Sequence, residues 1–346
     1  MMKLLEAQLE GFYEPQNGTM YLAADLRGAE AKATLAHELV HALQDQNWDL
    51  KSRSTYRKGK GDETLALACL AEGDATSLMM DYVLADQNKT ALDLPEASTR
   101  ELMQSGMGGA AISGVPHILK TSLIAPYVDG LLFVHALRRK GGWSAVDRAW
   151  KEPPTTSEQI LHVEKWEKHE PPIAVAAPTA SALGAGFKID DEDTFGELGL
   201  ALTFEEWVGA DAARAAAAGW GGDRSAIWAR GDELAFAVHV RYDEARGREA
   251  SDSSRHEKET KPDANAERAI GKLSTAMKKR LGRTSLESAD AVCFDRKDTG
   301  PLLVARRGRD IVLTAGPARA TGSTWSSTGT CAQSKKWADE VLAQPR

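Results

Sequence analysis

The sequence predicts an α+β protein in two parts: a mostly helical domain with a small N-terminal hairpin, then an α+β C-terminal domain. Three observations carry this. Long stretches of the first half place apolar residues at helical spacing, as in Leu35, Ala36, Leu39, Val40 and Leu43, with no Pro or Gly between Ala29 and Asn47. Asn17-Gly18, a strong turn signal, stands between Phe12-Tyr13 and Met20-Tyr21-Leu22 and reads as a hairpin. After a small Pro- and Ala-containing stretch at 176–186 the texture changes to short apolar runs separated by turns. The expected organisation is therefore 1–175, a linker at 176–186, and 187–346.

The elements follow in order. Lys51 to Gly61 is polar, basic and Gly-containing, hence a loop, and Asp62 can cap a second long helix through LALACLAEGDATSLMMDYVL. Gly73 inside that helix costs stability, which points to close packing or a functional reason. Ser105 to Gly114 is Gly-rich and reads as flexible. Leu119 to Arg139 reads as a helix interrupted at Pro126, and Trp143 to Trp150 as a separate short one. Thr155-Thr156-Ser157-Glu158 resembles a capping box. In the C-terminal part, helices are expected at Thr194–Glu206, Ala210–Ala218, Ala264–Leu281 and Lys335–Leu342. Strands are expected at Ser225–Trp228, Leu234–Tyr242, Ala289–Phe294, Pro301–Ala305 and Asp310–Thr314. Trp220 to Arg224 reads as a turn leading into a strand. Asp243 to Asp263 is charged and nearly free of apolar residues, hence a mobile loop.

Composition narrows the function. The chain has 346 residues, 42% hydrophobic and 27% charged, as in ordinary globular proteins. A net charge of −7 argues against a general nucleic-acid binder. Lys278-Lys279-Arg280 is a compact basic cluster, but at a helix end such cations complement the dipole. The apolar runs are too short to predict a membrane span, and MMKLLEAQLE does not read as a signal peptide, because Glu6 and Glu10 interrupt any apolar core. Cys69 falls in an apolar helical pattern. Cys293 and Cys331 either pair, which implies an oxidising compartment, or are ordinary thiols.

The chemistry lies in His37-Glu38-Leu39-Val40-His41. Two histidines four apart share one helix face, which lets both imidazoles reach one Zn²⁺ with Glu38 beside them to handle a proton. A catalytic zinc takes three protein ligands and keeps one position for water. A third His at metzincin spacing is absent, since Gln44 and Asn47 hold the last two fixed positions. Glu72, in the second long helix among Leu65, Leu67, Leu70 and Leu78, is the best candidate, because a carboxylate there is costly to bury without a partner. Asp45, Glu63 and Asp74 are its rivals, Asp45 suiting a ligand-supporting role better. Glu38 would then be the general base that activates a zinc-bound water for attack on a peptide carbonyl and passes the proton to the leaving amine. His162, Tyr127 and His117 are candidate oxyanion donors. The strand around Thr19 to Ala23 could bind an extended peptide substrate by strand addition.

GFYEP, TLAHELVHALQDQ, LAEGDAT, PYVDG with FVHAL, GGWSAVDRAW and PPTTSEQILH together resemble a family of bacterial zincin-like proteins, found largely as envelope or lipoprotein-type sequences. The resemblance covers about residues 8 to 175 strongly and the AAAGWGGDR segment more weakly, and it extends at a distance to the gluzincins. It implies a zincin-like metallopeptidase fold, with His37, His41 and Glu72 on zinc, Glu38 as base, and a location in the envelope or outside the cell. Two departures stand out. Thermolysin-like enzymes carry an Asp four residues after the ligand Glu, where this chain has Thr76, so that Asp74 or Asp45 is expected to substitute. Family members also carry a leader and further sequence before GFYEP, so an N-terminal portion is expected to be missing. The competing expectation is a catalytically silent zincin-fold protein that binds zinc or a partner. An intact Glu38 speaks against it.

Overall fold

The computed structural model describes residues 11–55, 57–96, 116–245 and 261–344. The protein is mixed α and β, with a small N-terminal hairpin and a β-sheet C-terminal region. It divides into two compact units, residues 1–57 with 62–170, and residues 58–61 with 171–346. The expected flexible stretches at Ser105–Gly114 and through most of Asp243–Asp263 lie outside the described residues.

In the first unit, β1 (Gly11–Glu14) and β2 (Thr19–Leu22) form the hairpin predicted around Asn17-Gly18, with Phe12 opposite Tyr21 and their rings stacked at 4.8 Å. Helix α1 (Gly28–Trp48) follows. Its burial departs from that of an ordinary amphipathic helix. Leu35, Leu39 and Leu43 are exposed, at 36%, 49% and 54%, while His37, Glu38, Val40 and Gln44 are buried. The helix turns its polar face inward because that face finds charged and hydrogen-bonding partners there. Part of the expected Lys51–Gly61 loop is a short helix, α2 (Leu50–Arg53).

Helix α3 (Gly61–Leu84) starts one residue before the predicted Asp62. Helix α4 (His117–Lys151) runs through Pro126, and its non-helical backbone lies instead at Gly141 and Gly142. Pro126 is the tenth residue of the helix, past its first turn, so its missing N–H removes one interior i→i−4 bond, to Ser122 O. By length and composition α4 could cross a membrane. Its Leu131, Val134 and Leu137, however, are fully buried in this unit. Arg138 ties it to α3, donating to Ser77 Oγ and to Asp81 Oδ2, each at 2.6 Å. The cap falls one residue later than predicted and is not a full capping box: the Thr156 hydroxyl accepts from Gln159 N and opens α5 (Ser157–Leu161), which α6 (Val163–Glu167) follows.

The second unit is built on an antiparallel sheet. It contains β3 (Lys188–Asp193), β4 (Trp220–Arg230), β5 (Glu233–Tyr242), β6 (Leu286–Ser288), β7 (Ala291–Phe294), β8 (Leu302–Arg307), β9 (Asp310–Thr321) and β10 (Thr324–Ser327). The order is β3-β4-β5-β9-β8-β7-β6, with β10 also paired to β9. Alternation sends Val238, Val240, Val304, Ile311 and Leu313 to one face. There they pack under α7 (Gly196–Val208), α8 (Ala210–Ala217) and α9 (Ala264–Leu281). Ala235, Ala237, Leu303, Ala305 and Val312 pack on the other face with Trp337 of α10 (Cys331–Leu342). Because both faces are covered, β7 and β8 read as unbroken apolar runs rather than alternating ones.

Two expectations change here, and one open alternative closes. Residues 176–186 are not a free linker but part of this unit, since Ala180 and Leu183 join the core and Thr179 O accepts from Trp337 Nε1. Trp220 to Arg224 is not a turn but the start of β4, with a bulge between Trp220 and Gly222. A Cβ on Gly222 would lie 2.0 Å from Ile173 O, so the glycine marks a close backbone approach. Buried Asp223 accepts from the Phe195 and Gly196 amides and thereby caps α7. Cys293 and Cys331 are disulfide-bonded, which resolves the open alternative and ties α10 to β7. A crosslink spanning 38 residues stabilises by about 4 kcal/mol on loop entropy.

Candidate metal centre

The four-residue spacing on α1 brings the two imidazoles together: His37 Nε2 and His41 Nε2 are 3.1 Å apart. Glu72 on α3 completes the group, its Oε2 lying 3.2 Å from His37 Nε2 and 3.5 Å from His41 Nε2. The three residues each offer one ligand atom and could hold a metal ion. Burial works against charge on Glu72 and on His41, yet the imidazole–carboxylate contacts override it. They hold the Glu72 carboxyl at about 2 and raise His41 to about 9.

The tautomer of His41 is fixed by its neighbours. Gln44 Nε2 donates to Ala71 O, a pure acceptor, and to Asp74 Oδ2, each at 3.0 Å. Gln44 Oε1 therefore faces His41 and accepts from Nδ1–H at 2.8 Å, which leaves Nε2 as the atom turned toward Glu72. Asp74 Oδ2 also accepts from Trp150 Nε1 at 2.9 Å. Burial raises the Asp74 pKa, and the bonds from Gln44 and Trp150 oppose that rise. Asp74 thus supports His41 through Gln44, whereas Thr76 is fully buried and its hydroxyl bonds to no described residue.

Glu38 is 7% exposed, and its Oε2 accepts from the backbone N–H of Tyr13 in β1 at 2.7 Å. Tyr127 stacks on His37, with ring centroids 6.0 Å apart and planes at 23°. Burial, the negative charge of Glu72 and a hydrogen bond to that carboxylate together push its phenol pKa well up. The other candidates fall elsewhere. Asp45 accepts from Tyr13 Oη and from Lys51 N, fastening the hairpin and α2 to α1. Glu63 pairs with Arg57 at 2.8 Å. His162 sits between α5 and α6, its amide donating to Glu158 O, and contributes no atom to the three-ligand group. His117 is exposed at the first turn of α4.

An open cleft of about 340 Å³ is lined by His41 and Glu72 together with Tyr13, Pro15, Leu50 and Leu67. Sequence reasoning did not single out Gln44 and Tyr13. Gln44 carried a usable signal, since it stands three residues after His41 on the same helix face. Tyr13 carried none, because its role is played by a main-chain amide.

Residues 186–325 match a family described as a domain of unknown function, DUF8575. No curated protein matches the chain, and no solved structure does. The match lies within the second unit, so the group on α1 and α3 falls outside it.

Proposed function

We propose that the first unit is a gluzincin-like, zincin-fold zinc metallopeptidase that holds Zn²⁺ on His37, His41 and Glu72 and hydrolyses peptide bonds with Glu38 as general base. The observation that carries this reading is the triangle of ligand atoms. A tetrahedral site with ligands at about 2.0–2.1 Å has edges of about 3.3 Å. The three edges here are 3.1, 3.2 and 3.5 Å. Two imidazoles and a carboxylate form a donor set typical of catalytic zinc. Bound zinc would polarise the scissile carbonyl and acidify a water. Glu38 would take up a proton from that water and deliver it to the leaving amine. Tyr127, on the His37 and Glu72 side, donates its hydroxyl to the developing oxyanion. The cleft beside His41 and Glu72 accommodates a peptide side chain against Leu50 and Leu67. The Cys293–Cys331 pair supports an envelope or extracellular location.

The test is metal analysis of the purified protein combined with casein cleavage. One zinc per chain and chelator-sensitive cleavage are expected. Zinc without cleavage would favour the catalytically silent reading, and absence of zinc would sink both.

Two substitutions test individual roles. Gln44→Ala removes the acceptor that orients His41, so zinc affinity falls by about 10–100-fold in a competition titration with a chromophoric chelator. An unchanged affinity would show that Gln44 does not position the ligand. Tyr127→Phe lowers kcat by about 10²-fold with zinc content intact if the hydroxyl serves the oxyanion. A loss of zinc affinity at unchanged kcat would reduce Tyr127 to a partner of Glu72.

A further inference from the structure

A cavity of about 570 Å³ in the second unit lies on the α10 face of the sheet, where that helix stops at Leu342. His239 and Arg241 of β5 point to this face by alternation, two and four residues beyond Ala237. Further toward the helix the same face is filled by Trp337. Past the helix end the cavity opens beside His239 and Arg241, each 8% exposed, with Arg307 and Asp310 also in its wall.

We propose that this cavity binds a small monocarboxylate carried on a short apolar chain. Four features lead to that chemistry. The Arg241 side chain is only 9% exposed, yet its described counter-ion is a single atom, Asp310 Oδ1, at 3.4 Å. Most of its five N–H donors are left over, and a buried guanidinium with spare donors suits a planar, two-oxygen acceptor. Asp310 Oδ1 is also shared with His239 Nε2 at 3.1 Å, so it is divided between two partners. His239 Nδ1 is buried and meets no hydrogen-bond partner among the described residues.

The charge count selects the anion. Arg241 and Arg307 against Asp310 leave one positive charge before His239 is considered, which one carboxylate neutralises. A phosphate dianion would overshoot and face Asp310 at close range. Apart from Gln344, the remaining wall is apolar, with Val175, Leu342 and Ala343, and suits a short alkyl tail. The volume falls within the range of small-molecule sites, about 300–1,000 Å³. All four polar residues lie within the stretch matched by DUF8575. The proposal stands apart from the metallopeptidase reading, since its residues belong to the other unit.

The experiment is a saturation-transfer NMR titration of the full chain with sodium hexanoate and hexan-1-ol, with inorganic phosphate, which has no C–H proton to observe, titrated as a competitor against bound hexanoate, all at fixed ionic strength. Hexanoate is expected to bind saturably, with hexanol and phosphate each at least about tenfold weaker, in keeping with the loss of charge-assisted bonds. Arg307→Gln, at an exposed position, is expected to weaken hexanoate at least about tenfold. Arg241→Gln is expected to do the same, with its circular dichroism spectrum reported alongside. The proposal is overturned by any of three results: no saturable hexanoate binding, phosphate binding as tightly as hexanoate, or wild-type hexanoate affinity in Arg307→Gln.

Discussion

Glu38→Gln is expected to keep one zinc per chain and to lower kcat on casein-derived peptides by about 10²–10⁴-fold, the usual contribution of a positioned general base. The substitution is close to isosteric. Glu38 contributes no atom to the three-ligand group. The amide oxygen of Gln can still accept from Tyr13 N, so the 2.7 Å bond that joins the hairpin to α1 survives. What the side chain loses is its capacity to take a proton. Melting temperature and zinc stoichiometry should therefore match the parent while turnover collapses. Full peptidase activity in the variant would remove Glu38 from the mechanism, and loss of zinc would place it in the metal site instead. If the parent binds zinc but shows no turnover, the comparison has nothing to lose and the silent reading gains.

How much of this was legible in the sequence depends on the range of the contact. His37, Glu38 and His41 were readable because helix geometry alone decides their juxtaposition. Glu72 was readable at one remove, as a carboxylate in an apolar helix that needed a partner; it has two, at 3.2 and 3.5 Å. The side of α1 that is buried was not readable. A leucine stripe is ordinarily the buried face, but here Leu39 and Leu43 are about half exposed and the ionisable residues are inside. That inversion is itself a mark of a site, because burying His37 and Glu38 is favourable only where partners wait for them. Trp220 to Arg224 misled for a related reason. Gly221-Gly222 looks like a turn, yet its glycines answer to a neighbouring backbone at Ile173, a contact about 50 residues away in sequence that no local pattern encodes.

Gly73 did announce itself as a helix residue with a packing reason, and the structure supplies it. A Cβ on Gly73 would fall 2.2 Å from Gly130 C and O, and one on Gly130 would fall 1.9 Å from Cys69 O. Helices α3 and α4 thus cross backbone to backbone at these two glycines. Neither atom at fault is the end of a flexible side chain, so the helices themselves must give way. Raising the 1.9 Å approach to an ordinary contact of about 3.4 Å needs about 1.5 Å of separation in a close-packed interior. Gly130→Ala is therefore expected to cost about 3 kcal/mol, at the upper end of overpacking effects. It should also weaken zinc binding at least tenfold, because Glu72 adjoins Gly73 and Tyr127 lies three residues before Gly130, so the crossing sets where both meet the histidines. Gly271→Ala is the control: that glycine sits in α9 with nothing within 4 Å of an added Cβ, and helix propensity there favours alanine by about 0.8–1.0 kcal/mol. Chemical denaturation should move the two variants in opposite directions, and the chelator competition should show weaker zinc binding in Gly130→Ala alone. A Gly130→Ala protein with parental stability and parental zinc affinity would mean that the crossing can open without disturbing the site.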